Sequence, residues 1–264
     1  MPTTTVPATP LLLARRLAYA YPGGTPVFAE VELHVEPREI VCLIGASGCG
    51  KSTLLRVLAG LAESGSGSVE LASGKDPEQS PQSSVVFQSP ALLPWLTVAQ
   101  NVAFGLDFAA RRREPRPARE ARLAAALKQV GLADHADKKP RALSGGMAQR
   151  VALARALAGD PEIIFLDEPF SALDAITRES MQDLLLALAH GQHSAVLLVT
   201  HDIDEALRIA DRVLLLAGSP AHIVGEWRPE GRAPRLHRSM ALNELREEIL
   251  ASLSTPDRVW YPIL

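Results

Sequence analysis

The chain has 264 residues, of which 22% are charged, and a formal net charge of −3. That length suits one α/β domain with an attached subdomain and a full core, and the slightly acidic balance argues against a nucleic-acid binder. The longest apolar run, Leu184 to Ala189, falls far short of the about 20 residues that a membrane span needs. The N-terminal stretch has no long apolar segment, so secretion is not expected, and two cysteines, Cys42 and Cys49, make no disulfide framework. A reducing cytosolic compartment is the simplest reading.

Residues 1–10 are rich in Thr and Pro and are expected to fray. Leu11 to Tyr21 and Val27 to Val35 read as two strands joined by the turn Pro22-Gly23-Gly24. Tyr21, just before that turn, is the favoured candidate for stacking on a nucleobase, and Tyr19 is the competing one. Pro37-Arg38 then suggests a type I turn or local strain, because a type II turn wants Gly where Arg38 stands.

The stretch Gly45-Ala46-Ser47-Gly48-Cys49-Gly50-Lys51-Ser52-Thr53 fits G-x-x-x-x-G-K-[ST], a phosphate-cradling loop. It follows an apolar strand, Glu39 to Ile44, and leads into an apolar-faced helix, Thr53 to Leu61, which is the context the motif requires. Glycines let consecutive N–H groups point into one concavity, and the helix adds its unpaired N–H groups and the positive end of its dipole. Lys51 brings a full charge to the β- and γ-phosphates, and the Ser52 hydroxyl is a hard ligand for Mg²⁺. Cys49 lies within the loop, so alkylation of its thiol is expected to compete with nucleotide.

Ser64 to Ser68 reads as a turn into the strand Val69 to Leu71, and Ser73 to Ser83 as a polar loop. Ser84 to Gln88 is a buried strand with a polar end. Ser89-Pro90-Ala91-Leu92-Leu93-Pro94-Trp95-Leu96 is apolar but broken by two prolines. Large apolar side chains on a loop suggest that something docks there, the alternative being internal packing. Thr97 caps a helix, Val98 to Leu106. Arg111 to Ala118 is a basic, Pro-broken connector, read as a solvated loop with contact to acidic lipid as the sharper alternative, and Ala121 to Val130 is helical.

Ser144, in Leu143-Ser144-Gly145-Gly146-Met147-Ala148-Gln149-Arg150, is a good N-cap for a helix through Ala158. A second helix N-terminus thus presents glycines and a hydroxyl. Ile163 to Glu168 is an apolar strand ending in two acids, at the edge where parallel α/β sheets bind ligands. Asp167 is placed to hold Mg²⁺ and Glu168 to polarise an attacking water. Pro169 to Asp174 turns the chain into a helix, Ile176 to Ala189. Ala195 to Thr200 is a further core strand, and it delivers His201 to the same edge as Asp167, where a γ-phosphate contact is favoured. Asp202 to Ala210, Val213 to Ala217 and Ala221 to Trp227 complete the core. A last helix, about Ser239 to Leu253, is read as covering a core face rather than regulating.

With these motifs in this order, the chain resembles the ATP-binding-cassette ATPase family from about Tyr21 to Trp227. Leu143-Ser144-Gly145-Gly146 separates that family from other phosphate-loop ATPases, and Gln88, Leu166-Asp167-Glu168, Ser171-Ala172-Leu173-Asp174 and His201 stand in their places. The resemblance implies an α/β fold. Its nucleotide-binding core is a mixed sheet flanked by helices, with an N-terminal antiparallel β subdomain and an inserted helical subdomain at about 89–160. Residues 11–228 would form the ATPase domain and 229–264 a C-terminal helical tail.

The resemblance further implies that two copies pair head to tail as a homodimer. ATP on the phosphate loop of one copy, with Mg²⁺, is then closed over by Ser144, Gly145 and Gly146 of the other. Gln88 would sense Mg²⁺ and the attacking water, Glu168 would act as general base or water-orienting group, His201 would contact the γ-phosphate, and Asp174 would couple the two sites.

Within the family, Leu92 to Val98, Leu143 to Arg150, Asp167 to Asp174, Thr200 to Ala206 and the tail from Arg238 to Leu250 look like the importer ATPases for nitrate, sulfonate, taurine and related small ions. That implies a peripheral subunit at the cytoplasmic face of the inner membrane. Its partners would be a separate membrane permease docking near Ser89 to Leu96 and, indirectly, an extracytoplasmic solute-binding protein. Two positions depart from the pattern: Arg38 replaces a usual Gly, and Ala148 a usual Lys or Arg. The alternatives are a soluble cassette ATPase acting on translation or nucleic acid, and a small-molecule kinase. The short spacing from Lys51 to Asp167 leaves no room for the long insertion the first usually carries, and the signature and His201 argue against the second.

Overall fold

Nine strands make one sheet in this computed structural model, which describes residues 9–72, 83–106, 114–192, 194–235 and 239–254. The expected frayed start, the polar loop after residue 72 and the first residues of the basic connector lie largely outside the described residues. The strands are β1 (Leu12–Ala20), β2 (Pro26–Val35), β3 (Ile40–Ile44), β4 (Ser66–Leu71), β5 (Ser83–Val86), β6 (Ile163–Asp167), β7 (Ala195–Val199), β8 (Arg212–Gly218) and β9 (Ala221–Trp227). Their spatial order is β4-β1-β2-β9-β8-β3-β7-β6-β5.

From β8 to β5 the pairing is parallel, and β3, β6 and β7 are buried at every residue. Unbroken apolar runs such as Ile163 to Leu166 are what a strand covered on both faces requires. Alternation divides the two faces. Ile40, Cys42 and Ile44 point into one core, Val41 and Leu43 into the other. The antiparallel strands β1, β2 and β4 continue the sheet, joined to β9 at Phe28 and Ala221.

Among the described residues seven α-helices accompany the sheet: α1 (Lys51–Leu58), α2 (Val98–Phe104), α3 (Arg116–Gln129), α4 (Gly145–Ala158), α5 (Ala175–Gln192), α6 (Ile203–Ile209) and α7 (Met240–Ser254). The helix α1 lies in the core with β1 and β2, while α5, α6 and α7 cover the other face. The helices α2, α3 and α4 share an apolar cluster of their own, with Val98, Val102, Leu127, Val130, Val151 and Ala154 inside it.

Two local readings are corrected. The helix α3 starts at Arg116, earlier than expected, because Pro115 sits at its N-cap and Pro117 in its first turn, where the missing N–H costs nothing. The turn before β3 has φ 66° at Arg38 and a bond from Glu39 N–H to Glu36 O of 3.2 Å. That is the backbone sign of a type II turn, so the strained alternative holds and the type I reading does not.

The tail is fastened down. Arg235 is buried and gives its guanidinium to the carbonyls of Pro229, Glu230, Gly231, Leu207 and Ala210. Leu242 and Ile249 of α7 enter the core, Trp227 Nε1 donates to Glu248 at 2.9 Å, and Arg246 pairs with Asp204 at 3.1 Å. The helix therefore covers a core face, as its apolar stripe indicated.

Candidate active site

The phosphate loop leaves β3 at Ile44. A Cβ on Gly45 would overlap the Leu216 carbonyl oxygen, and one on Gly50 (φ 103°) would come within 2.7 Å of Val27 Cγ1. Only glycine lets the backbone pass so close at both points. Gly50 caps α1 without a side-chain bond, which leaves the first-turn N–H groups without a side-chain acceptor, as a helix start that can take an anion requires. Ala46, Ser47 and Gly48 form the exposed tip.

Lys51 is only 5% exposed, and its Nζ donates to Gly45 O at 2.8 Å and Ala46 O at 2.9 Å. The charge is thus folded over the loop, with one further N–H to give. Cys49 is half-buried, and its Sγ lies 3.5 Å from Leu216 O, turned toward β8.

Tyr21 is 49% exposed and its hydroxyl meets Thr53 Oγ1 at 3.0 Å, whereas Tyr19 is half-buried and stacked on Phe28. Tyr21 meets Tyr19 edge to face, with ring centroids 5.1 Å apart, and is the more exposed of the two rings beside the loop.

The ends of β5, β6 and β7 bring the remaining residues to the same edge. Ser52 Oγ donates to Asp167 Oδ1 at 2.8 Å across the sheet. Burial pushes the Asp167 carboxyl above its ordinary value, the Ser52 hydrogen bond pulls it back, and neighbouring Glu168 pushes it up again. Such a carboxylate gains strongly from a nearby cation.

Glu168 has φ 45°, a strained backbone for a non-glycine residue, of a kind that costs about 1–3 kcal/mol. Its N–H still bonds Val199 O at 2.9 Å, so the strain lies in the turn that swings the side chain outward. One carboxylate oxygen then accepts from Gln88 Nε2 at 3.2 Å, and the other meets His201 Nδ1 at 3.1 Å. Three residues from three strand ends, Gln88, Glu168 and His201, thus form one cluster.

Ser144 caps α4, its Oγ accepting from Met147 N–H at 3.3 Å. A Cβ on Gly145 would sit 4.0 Å from Ala172, and one on Gly146 would sit 3.1 Å from Leu173, so this helix start lies beside the 171–174 turn of its own chain. Ser144, Gly145, Ala172 and Asp174 are exposed there. Asp174 accepts from Thr177 N–H at 3.0 Å and Thr177 Oγ1 at 2.7 Å, and these bonds, the backbone one foremost, hold its carboxyl below its ordinary range. It works here as a cap on α5, a local role that its motif position did not reveal.

The loop expected to dock a partner is rigidly held by residues the sequence did not single out. Asn101, fully buried, accepts from Leu93 N–H at 2.8 Å and donates to the carbonyls of Leu93, Leu96 and Thr97. Arg155 bonds the carbonyls of Ala91 and Pro90, and Gln149 that of Phe87. A polar Asn between Val98 and Val102, on the buried side of α2, was the available signal. Leu92 packs inward, as the internal-packing reading has it, while Trp95 stays 67% exposed.

Ser52 and Asp167 offer hard oxygen ligands, the kind Mg²⁺ takes alongside waters and phosphates. Among the described residues no group of three or more His, Cys, Asp or Glu is arranged to hold a metal alone. The donor set therefore fits a cation that arrives with a phosphate. The large cleft of about 670 Å³ between β1, β2, β8 and β9 is lined by none of the motif residues. Among the described residues no helix is long and apolar enough to cross a membrane.

Comparison with known proteins places these features. A family model described as "ABC transporter" matches residues 28–171. The aliphatic sulfonates import ATP-binding protein SsuB 2 of Burkholderia lata is 48% identical over 92% of this chain and 86% of its own. Its counterpart SsuB 1 of Xanthomonas axonopodis pv. citri is 50% identical over 88% and 92%. A solved dimeric ATP-binding cassette in a post-hydrolysis state, bound to ADP and Pi, superposes with a TM-score of 0.74. It shares 33% identity, over 84% of this chain and all of that one.

Proposed function

The chain belongs to the ABC transporter family, and on that premise we propose that it is the ATP-hydrolysing subunit of an importer for aliphatic sulfonates. The observation that carries the catalytic part is the Glu168 carboxylate held between Gln88 and His201, next to a phosphate loop whose serine touches Asp167. The substrate class follows the printed names of the relatives that match nearly end to end. Those names also disfavour a soluble, non-transport cassette.

In this reading, backbone N–H groups from Gly48 to Ser52 and the Lys51 ammonium bind the phosphates, while Tyr21 stacks on the base. Ser52, Asp167 and Gln88 would hold Mg²⁺, which when bound supplies positive charge to the β- and γ-phosphate oxygens. Glu168 orients the attacking water and takes its proton, and His201 turns its other ring nitrogen, Nε2, to the γ-phosphoryl group. Phosphoryl transfer demands mainly such positioning and preplaced charge. The exposed α4 start with Ser144, Gly145 and Gly146 closes over the nucleotide of a second copy, and Asp174 couples the pair. The solved relative, dimeric and bound to ADP and Pi, supports the pairing of two copies.

A permease helix would dock on the loop from Ser89 to Leu96, in the helical subdomain, with Trp95 as its anchor. This places the chain on the inner face of the membrane without spanning it. An exposed aromatic on a loop fixed by Asn101 and Arg155 loses little entropy on binding, which is how hot spots arise. Trp95→Ala is expected to keep ATP affinity and weaken co-purification with the permease about thirtyfold, the size of a 2 kcal/mol hot spot. Undiminished co-purification would remove Trp95 from the interface.

The substrate assignment is tested in proteoliposomes that hold the permease and this chain. An alkanesulfonate with its solute-binding protein is expected to raise ATP hydrolysis several-fold. Stimulation by nitrate and not by the sulfonate would overturn the assignment.

A further inference from the structure

The turn that carries Asp174 follows β6, and the segment that carries His201 follows β7, yet one side chain spans the two. Arg178, in the opening turns of α5, donates Nη2 to Leu173 O at 3.3 Å. Its Nη1 lies 3.9 Å from Asp202 Oδ2 and its Nε 3.4 Å from Glu205 Oε1.

The far side of this contact is closely knit. Glu205 is buried, and its Oε2 accepts from Thr200 Oγ1 at 2.8 Å. The same Thr200 oxygen accepts from Asp202 N–H at 3.0 Å, and Asp202 Oδ1 caps α6 through the N–H groups of Asp204 and Glu205. His201 sits between Thr200 and Asp202, so both its chain neighbours are anchored in this cluster. Burial pushes the Glu205 carboxyl up, with the Thr200 bond and the Arg178 charge pulling it back. A carboxylate so placed needs its cation.

The near side is slack. Arg178 Nε is buried without a hydrogen-bond partner among the described residues. Both of its carboxylate separations exceed the about 2.7–2.9 Å of a formed charge-assisted bond.

We propose that Arg178 is a positioning residue, a bridge that tightens when the 171–174 turn is pressed by the second copy and so sets His201 against the γ-phosphoryl group. The inference rests on the ATPase reading above. A guanidinium presents its donors as a planar fork that spans a carbonyl and two carboxylates on separate elements, whereas an ammonium offers its three donors from a single point.

The test is steady-state ATP hydrolysis by the full chain carrying Arg178→Lys, Glu205→Gln, or both. Arg178→Lys is expected to lower kcat about ten- to a hundredfold, the scale of a catalytic group misplaced by an ångström. KM for MgATP should stay within about twofold, and the melting temperature within about 2 °C. The double variant should lose little beyond the worse single one, as expected for residues in one network. Should Glu205→Gln fail to fold, Arg178→Lys alone decides. Wild-type kcat in Arg178→Lys, or a kcat loss matched by a raised KM or by unfolding, would overturn the bridge. A wild-type chain without ATPase activity would instead overturn the reading beneath it.

Discussion

Glu168→Gln should bind MgATP with nearly unchanged affinity while hydrolysing it about 10²–10⁴-fold more slowly, the range of a lost general base. The geometry makes this a clean substitution. Glu168 accepts from Gln88 with one oxygen and meets His201 with the other. A glutamine amide has the same shape: its oxygen can still accept from Gln88, and its NH₂ can donate to His201 Nδ1 in the tautomer that accepts there. The heavy-atom contacts are kept, with the His201 proton moved from Nδ1 to Nε2, and the carboxylate's basicity is lost. The strained backbone at Glu168 is unaffected, because the two residues share a Cβ and the same steric demand. Measured turnover within threefold of wild type would remove Glu168 from the chemistry.

Lys51→Ala should fail at the earlier step. Lys51 is buried against the loop and donates to the carbonyls of Gly45 and Ala46. Its loss removes the only side-chain charge the loop offers to the β- and γ-phosphates. A hydrogen bond to a charged group contributes about 1.5–3 kcal/mol, so ATP affinity should fall about a hundredfold. The two loop carbonyls lose their partner as well, which lets the cradle relax. Isothermal titration with MgATP checks the effect, and affinity within threefold of wild type would contradict it. The two variants separate binding from chemistry: one should bind without turning over, the other should not bind at the same concentration.

The elements that carry chemistry were legible because their signals are local. A glycine pair with four residues between, an apolar run ending in Asp167-Glu168, and a serine before a helix each state a backbone requirement within a few residues. The residues that hold these pieces in register were not legible. Asn101 reaches back across the Pro-broken loop, Arg155 reaches two carbonyls more than sixty positions away, and Arg178 meets α6 only after a whole β-α-β unit has folded. Nothing in their immediate neighbours announces those partners. Arg38 marks a different limit: the mild cost of a left-handed arginine can be met by the rest of the fold, so propensity alone favoured the wrong turn. The thiol of Cys49 points the same way, since loop membership fixes its backbone and leaves its side chain to find β8.

The central claim is that nucleotide is held between two copies of this chain. Light scattering on the Glu168→Gln variant, with bound nucleotide counted on the same peak, tests it most directly. In saturating MgATP the account predicts the mass of two chains carrying two ATP molecules, reverting to single chains when Ser144→Arg blocks the α4 start. A single chain of unaltered mass, saturated with one ATP, would contradict it.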